Sequence, residues 1–105
     1  MDPQIKRRLK FDIGVYPCQG KEDGDPIFGD LITLKGYEAT KVGTTITRGG
    51  QTYNVTSVIY MDGENANQVH VDDEIVSVVA GRLPVKLIEP FPGLGSGFEV
   101  MVIYL

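Results

Sequence analysis

Val55-Thr56-Ser57-Val58-Ile59-Tyr60-Met61-Asp62-Gly63, then Asp72-Asp73-Glu74-Ile75, then Gly81-Arg82-Leu83-Pro84-Val85-Lys86-Leu87-Ile88-Glu89-Pro90: these runs, in this order, decide the fold. Each is short and rich in β-branched or aliphatic residues, and acidic or glycine turns separate them, which is how strands read in a sequence. In residues 83–89, Leu83, Val85 and Leu87 point one way and Pro84, Lys86 and Ile88 the other, so a half-buried strand is predicted. The last run, residues 98–105, carries Phe98, Val100, Val102 and Tyr104 on one face and Met101, Ile103 and Leu105 on the other. A strand apolar on both faces is buried on both.

Working outward, Gly49-Gly50 is a hairpin signal leading into residues 52–61, the strongest strand of the chain. Residues 42–50 are β-branched but weakly apolar and read as an exposed strand or extended loop. Residues 31–40 read as a strand with a bulge or bend at Gly36. Phe11, Ile13 and Val15 alternate with Asp12, Gly14 and Tyr16, a strand that Pro17 ends because proline has no N–H for the ladder. Residues 18–30, with Lys21-Glu22-Asp23-Gly24-Asp25-Pro26 at their centre, are predicted to be a long solvated loop. Asp62-Gly63-Glu64-Asn65 is read as a turn, Val69, Val71 and residues 75–79 as one or two short strands, and Gly81 as a corner. Residues 90–97 are read as a glycine-rich hairpin loop. Asp2-Pro3 opens a short N-terminal helical turn, with Ile5 and Leu9 four apart. The fold class is therefore all-β: a small β-barrel or sandwich of six to eight short strands with long loops.

The length allows one domain with one core. The apolar fraction of 42% and charged fraction of 23% are those of a globular chain. Charge is uneven. Residues 1–10 hold Lys6, Arg7, Arg8 and Lys10 against Asp2, a balance of +3, whereas residues 11–105 hold thirteen acids and six bases, a balance of −7. The chain accordingly divides into a basic arm, 1–10, and a single β-domain, 11–105. The arm is either simply solvated or a docking arm for an acidic partner. The acidic domain repels phosphate backbones, which argues against an ordinary nucleic-acid surface. The lone cysteine, Cys18, cannot form an internal disulfide. No secretion-signal pattern and no apolar run long enough to span a bilayer are seen, so synthesis in a cytoplasm and no membrane partner are expected.

No constellation for catalysis or metal binding emerges. His70, the one histidine, reads as a strand residue between Val69 and Val71, with no nucleophile or ligand set to join it. Counting a calcium loop from Asp23 puts Ile27 and Phe28 where an oxygen ligand and a glycine are needed; counting from Asp62 puts Ala66 at the ligand position. Gly93, Gly95 and Gly97 precede a strand and not a helix, so no helix N-terminus awaits a phosphate. Asn54-Val55-Thr56 matches a glycosylation sequon inside a strand. Asp72, Asp73 and Glu74 read as an exposed acidic turn or edge. The expectation is a binding protein with no cofactor and not an enzyme, its function carried by loops on a rigid β-scaffold.

The ordered pattern resembles the head-closure proteins of tailed bacteriophages, the head–tail connector, stopper or minor capsid proteins. The likeness lies in Gly24-Asp25-Pro26 before a Leu/Ile strand, Gly50-Gln51-Thr52 before the long strand, and Val58-x-Tyr60-x-Asp62-Gly63. It continues in Val71-x-Asp73-x-Ile75, Gly81-Arg82-x-x-Val85-x-x-Ile88-x-Pro90 and Val100-x-Val102-x-Tyr104-Leu105, over roughly residues 11–105. The resemblance implies a β-barrel subunit in a virion ring, typically dodecameric, at the head–tail interface after assembly in the host cytoplasm. Its partners would be portal and adaptor proteins above, tail proteins below, further copies of itself, and DNA passing without sequence-specific binding. A long loop gates the channel in that family. Here the candidates are residues 21–30, with Lys21, Glu22, Asp23 and Asp25, or residues 42–50, with Thr44, Thr45 and Arg48. Lys6, Arg7, Arg8 and Lys10 are the candidate docking arm. A tail-completion or tail-tube subunit shares this logic. A different class, an SH3-like peptide-binding module, asks for clustered exposed aromatics on one strand pair, whereas Tyr16, Tyr37, Tyr53, Tyr60 and Tyr104 are scattered along the chain.

Overall fold

In the computed structural model, residues 9–90 and 100–105 are described, and the molecule is organised around its longest strand. In chain order the elements are β1 (Phe11–Tyr16), β2 (Cys18–Glu22), β3 (Asp25–Phe28), β4 (Ile32–Arg48), β5 (Gln51–Asp62), α1 (Gly63–Ala66), β6 (Glu74–Ser77), β7 (Gly81–Pro84), β8 (Leu87–Pro90) and β9 (Val100–Tyr104). Nine strands among the described residues make two sheets, one ordered β7-β6-β1-β4-β5-β9-β8 and the other the β2–β3 pair. The domain is mostly β with one short internal helix, and its described residues form nine strands where six to eight short ones were expected, because residues 18–28 form a hairpin of their own and residues 83–90 divide between two partners. The expected N-terminal helical turn lies outside the described residues, as does the hairpin loop read at 90–97 except for Pro90, which ends β8.

β4 shapes the large sheet because it changes partner midway. Its first part pairs with β1, as far as Phe11 opposite Gly36, and its remainder pairs with β5 from Tyr37 opposite Tyr60. Gly36 sits at this change of partner, where a Cβ would lie 2.7 Å from the Tyr60 carbonyl oxygen and 3.0 Å from Met61 Cγ. The bend predicted at Gly36 thus marks a close approach and not a break. The ladder irregularity falls later, between Thr40 and Thr44, around Gly43 at φ 81°. The segments read as 31–40 and 42–50 are in consequence one 17-residue strand.

Four further readings need correction. Residues 18–30 are not a loop, because β2 and β3 pair across Asp23-Gly24, whose φ values of 51° and 85° suit a two-residue type I′ turn. The run 83–89 is two strands, because it changes partner at Val85-Lys86: Leu83 faces Ile75 of β6, whereas Leu87 faces Tyr104 of β9. Val69 and Val71 lie in the connection between α1 and β6 and not in strands, Val69 buried and Val71 exposed. Residues 63–66 form α1 rather than a plain turn, capped by the Asp62 side chain, which accepts from Asn65 N–H at 2.8 Å. By contrast, Gly49-Gly50 makes the expected hairpin turn, with Arg48 opposite Gln51.

The two ends of the large sheet, β7 and β8, are consecutive in the chain. Val85 N–H donates to Asp73 O at 2.8 Å and Lys86 N–H to Tyr104 O at 2.8 Å, so one pass of chain edges both ends. No ladder joins β7 to β8, and the sheet is not a closed barrel among the described residues. Its inner face holds the main core, including Ile13, Val15, Ile59, Met61, Ile75, Val85, Ile103 and Leu105. A smaller cluster of Val55, Val58 and Val102 lies apart from it, flanked by Ile46, Tyr60 and Tyr104. β9 accordingly serves both clusters, as its two apolar faces predict. Leu9, placed in the arm by the sequence, is buried.

Candidate functional site

Both segments nominated as reaching loops are β-hairpins, and in each an acidic side chain fixes part of the structure. The first is β2–β3. Lys21 and Glu22 end β2, Asp23 is in the turn and Asp25 begins β3; all four are exposed. At the base, the buried Asp73 carboxylate accepts from Cys18 N–H and His70 N–H, each at 2.8 Å, and Gly29 N–H donates to Pro17 O at 2.7 Å. The Arg82 guanidinium stands 3.8 Å from the Tyr16 ring centroid and 5.1 Å from that of Phe28, while donating to Glu74 at 2.7 Å. That arrangement draws β1, β3, β6 and β7 together at the root, leaving the charged tip in water.

Asp73 was read from the sequence as part of an exposed acidic turn and is instead 2% exposed. Asp72, with φ 81°, is the exposed turn residue, and Glu74 belongs to the Arg82 pair. His70 lies in the turn region before β6 and not in a strand, its Nδ1 3.8 Å from Asp73 Oδ2. The sequence signal for Asp73 was weak: a hydrogen-bonding acid just before a strand looks like its solvated neighbours until the chain folds.

The second hairpin is the far part of β4 and β5. Thr44 and Thr45 lie on its exposed stretch, opposite Val55 and Asn54. Arg48 is not free to move with a loose loop: its Nε donates to Glu89 Oε2 at 3.0 Å and a second nitrogen to Oε1 at 3.2 Å. Tyr104 O–H donates to the same carboxylate at 2.7 Å. Burial pushes Glu89 up, but the Tyr104 hydrogen bond and the Arg48 charge outweigh it and hold the carboxyl below its ordinary value. Burial and the bond to Glu89 push the Tyr104 hydroxyl up to about 12.

These shifts set a window. A carboxyl lowered on folding adds stability that is full above its ordinary value of 4.5 and fades as pH falls through the folded value. A phenol raised on folding adds stability that is full below its ordinary value of 10.0 and is lost as pH rises toward about 12. Tyr104→Phe is expected to cost about 1 kcal/mol inside that window. Urea titrations at stepped pH should show the difference from the wild type shrinking on both sides; a difference independent of pH would refute the coupling.

A third acid, Glu38 of β4, accepts from Ser57 Oγ at 2.7 Å, from Ser77 Oγ and, at 3.1 Å, from Val78 N–H. This joins β5 to β6 across β4, with both serines buried. Both buried hydroxyls donate to the one carboxylate, and the cluster is read as a polar clamp holding β5 and β6 to β4. Among the described residues no three His, Cys, Asp or Glu side chains could hold a metal ion. No described helix is long and apolar enough to cross a membrane.

The fold also gathers aromatics that are far apart in sequence. Phe11 and Tyr37 have ring centroids 6.1 Å apart, and Tyr37 and Tyr60, directly opposite across β4 and β5, 6.4 Å apart. Lys10, the one candidate arm residue among those described, holds its ammonium 5.8 Å from the Phe11 centroid; Lys6, Arg7 and Arg8 lie outside them. Sequence reading found these tyrosines scattered because register, not spacing, brings them together.

Comparison of the chain with protein-family models, with curated proteins and with solved structures returns no match.

Proposed function

We propose that this chain is a structural subunit of a tailed-phage virion, a head-closure or stopper protein. Copies form a ring that seals the DNA channel below the portal and adaptor proteins and offers the tail its docking surface. The observation that supports this best is the β2–β3 hairpin. It forms a sheet of its own, rooted through Asp73 and Arg82, with Lys21, Glu22, Asp23 and Asp25 in water at its tip. A two-stranded hairpin with a charged tip can reach into a channel, as functional segments on a β-scaffold do.

The Thr44–Thr45 stretch is the second projection, steadied by Arg48 on Glu89. In a ring, the open edges at β7 and β8, which the chain links through Val85-Lys86, would be completed by neighbouring copies. The domain's negative balance suits a bore that must not retain DNA. In this reading the work is gating and docking, without a chemical step or cofactor.

Native mass spectrometry of the chain alone, and mass photometry of the chain mixed with portal–adaptor complexes, test the proposal. Ring formation or stoichiometric capture by the vertex complex is expected. Open-ended stacking into tubes would favour a tail-tube subunit, and a monomer that ignores the vertex would overturn the connector reading.

A further inference from the structure

We propose that the distal part of the β2–β3 hairpin, residues 20–27, is a hinged arm that swings as one body about Gly20 while its root stays fixed to the domain. The inference goes beyond the ring reading and does not depend on it. Its first ground is the place where the ladder is interrupted. Cys18 pairs with Phe28 and Gly20 with Ile27, so Gln19 is an extra residue on β2 and a β-bulge sits one step from the root. A bulge leaves its extra residue unpaired and bends the strand, which lets the stretches on either side of it turn against each other. Gly20 has φ 125°, which residues with a Cβ rarely adopt, and a Cβ there would meet nothing within 4 Å. The joint is therefore open on the side where a side chain would stand.

The second ground is how differently the two sides of the bulge are held. On the root side, Cys18 N–H donates to the buried Asp73 carboxylate at 2.8 Å and Gly29 N–H to Pro17 O at 2.7 Å. Phe28 faces the Arg82 guanidinium, which Glu74 holds in place. The Gln19 side chain also stays with the root, since a Cβ on Gly29 would lie 2.6 Å from Gln19 Nε2. On the arm side every residue from 20 to 27 is exposed, and none of their side chains makes a hydrogen bond or ion pair with another described residue. A weak thiol hydrogen bond, Cys18 Sγ to Gly20 O at 3.5 Å, crosses the joint. No ladder ties the arm to the seven-stranded sheet. Segments with few buried contacts and exposed backbone bonds lie at the low end of local stability.

The turn decides between swinging and melting. Asp23 and Gly24, with φ values of 51° and 85°, make the two-residue turn whose twist matches that of the strands it joins. Beyond the bulge the pairs Gly20–Ile27, Lys21–Pro26 and Glu22–Asp25 run without a further shift up to that turn. The weak point is thus the bulge and not the tip. The charged tip, with Lys21, Glu22, Asp23 and Asp25, is carried by its two strands together.

The test uses the full chain, isotope-labelled and weakly aligned for NMR, with N–H residual dipolar couplings as the readout. Couplings from the arm should fit a single body whose order is about 30% below that of β4, β5 and β9, the difference between a mobile and a rigid backbone. Cys18, Phe28 and Gly29 should follow the large sheet. Cross-strand nuclear Overhauser contacts between Gly20 and Ile27, and between Glu22 and Asp25, should persist. Gly20→Ala is strained at φ 125° and should turn the mean direction of the arm while leaving the couplings of β4, β5 and β9 unchanged. The proposal is overturned if one alignment of equal order fits arm and sheet together. It is also overturned if the arm couplings fall to near zero with loss of the cross-strand contacts, which is melting, or if Gly20→Ala leaves the arm direction as it was.

Discussion

Asp73→Ala is expected to lower the unfolding free energy by about 3 kcal/mol, a large share of what a domain of this size has to lose. The side chain is 2% exposed, and its two oxygens accept the N–H groups of Cys18 and His70. Alanine would leave two backbone donors without their partner in a place where water enters poorly, and burying an unpaired donor costs more than the net gain of making the bond. Cys18 begins β2, so the damage should spread from the β6 approach to the root of the projecting hairpin. Hydrogen exchange should accordingly show faster exchange at the Cys18 and His70 amides, with β5 and β9 protected almost as before. Asp73→Asn keeps one acceptor oxygen and should lose less than Asp73→Ala. Urea unfolding decides: a loss under about 1 kcal/mol for Asp73→Ala would mean that both amides are readily hydrated and that the hairpin does not depend on this carboxylate.

The Asp73 case also shows where sequence reading stops. Periodicity identified β1, β5 and β9 and the two-faced burial of β9, because alternation and apolar runs are local properties. The Gly49-Gly50 turn was equally legible, since a two-residue turn with positive φ at both positions favours glycine. Whether residues 83–89 were one strand or two was not legible, because the split at Val85 reflects a change of partner from β6 to β9, which spacing along the chain does not encode. The same holds for the candidate site. Arg48 was singled out as a gate residue, yet its anchor, Glu89, lies 41 positions away. Phe11, Tyr37 and Tyr60 meet only because β4 pairs with β1 before Gly36 and with β5 after it. Polar turn content marked residues 21–26 as solvated, but not that Asp23-Gly24 would fold residues 18–28 into a hairpin of their own.

That change of partner at Gly36 makes the second large effect. Gly36→Ala is expected to destabilise the domain by about 2–3 kcal/mol, through overpacking and not through backbone strain. Gly36 lacks the positive φ of Gly43, so alanine there has no conformational penalty, and by reducing the freedom of the unfolded chain it would by itself stabilise slightly. The added carbon, however, would lie 2.7 Å from the Tyr60 carbonyl oxygen, 3.0 Å from Met61 Cγ and 3.2 Å from Ile13 Cγ1. A methionine side chain can turn aside; the Tyr60 carbonyl belongs to β5 and moves only if the strands part. Gly43→Ala is the contrasting substitution, since a Cβ there meets nothing within 4 Å but must adopt φ 81°. It should cost about 1 kcal/mol and leave the aromatic row unchanged. Gly36→Ala should in addition shift the Tyr37 and Tyr60 ring resonances, because these two residues pair immediately after the bend. If thermal and urea unfolding instead found Gly36→Ala no less stable than the wild type, β4 and β5 would have room to separate. The bend would then be set by the ladders on either side, and the alignment of the aromatic row would not depend on the close approach at Gly36.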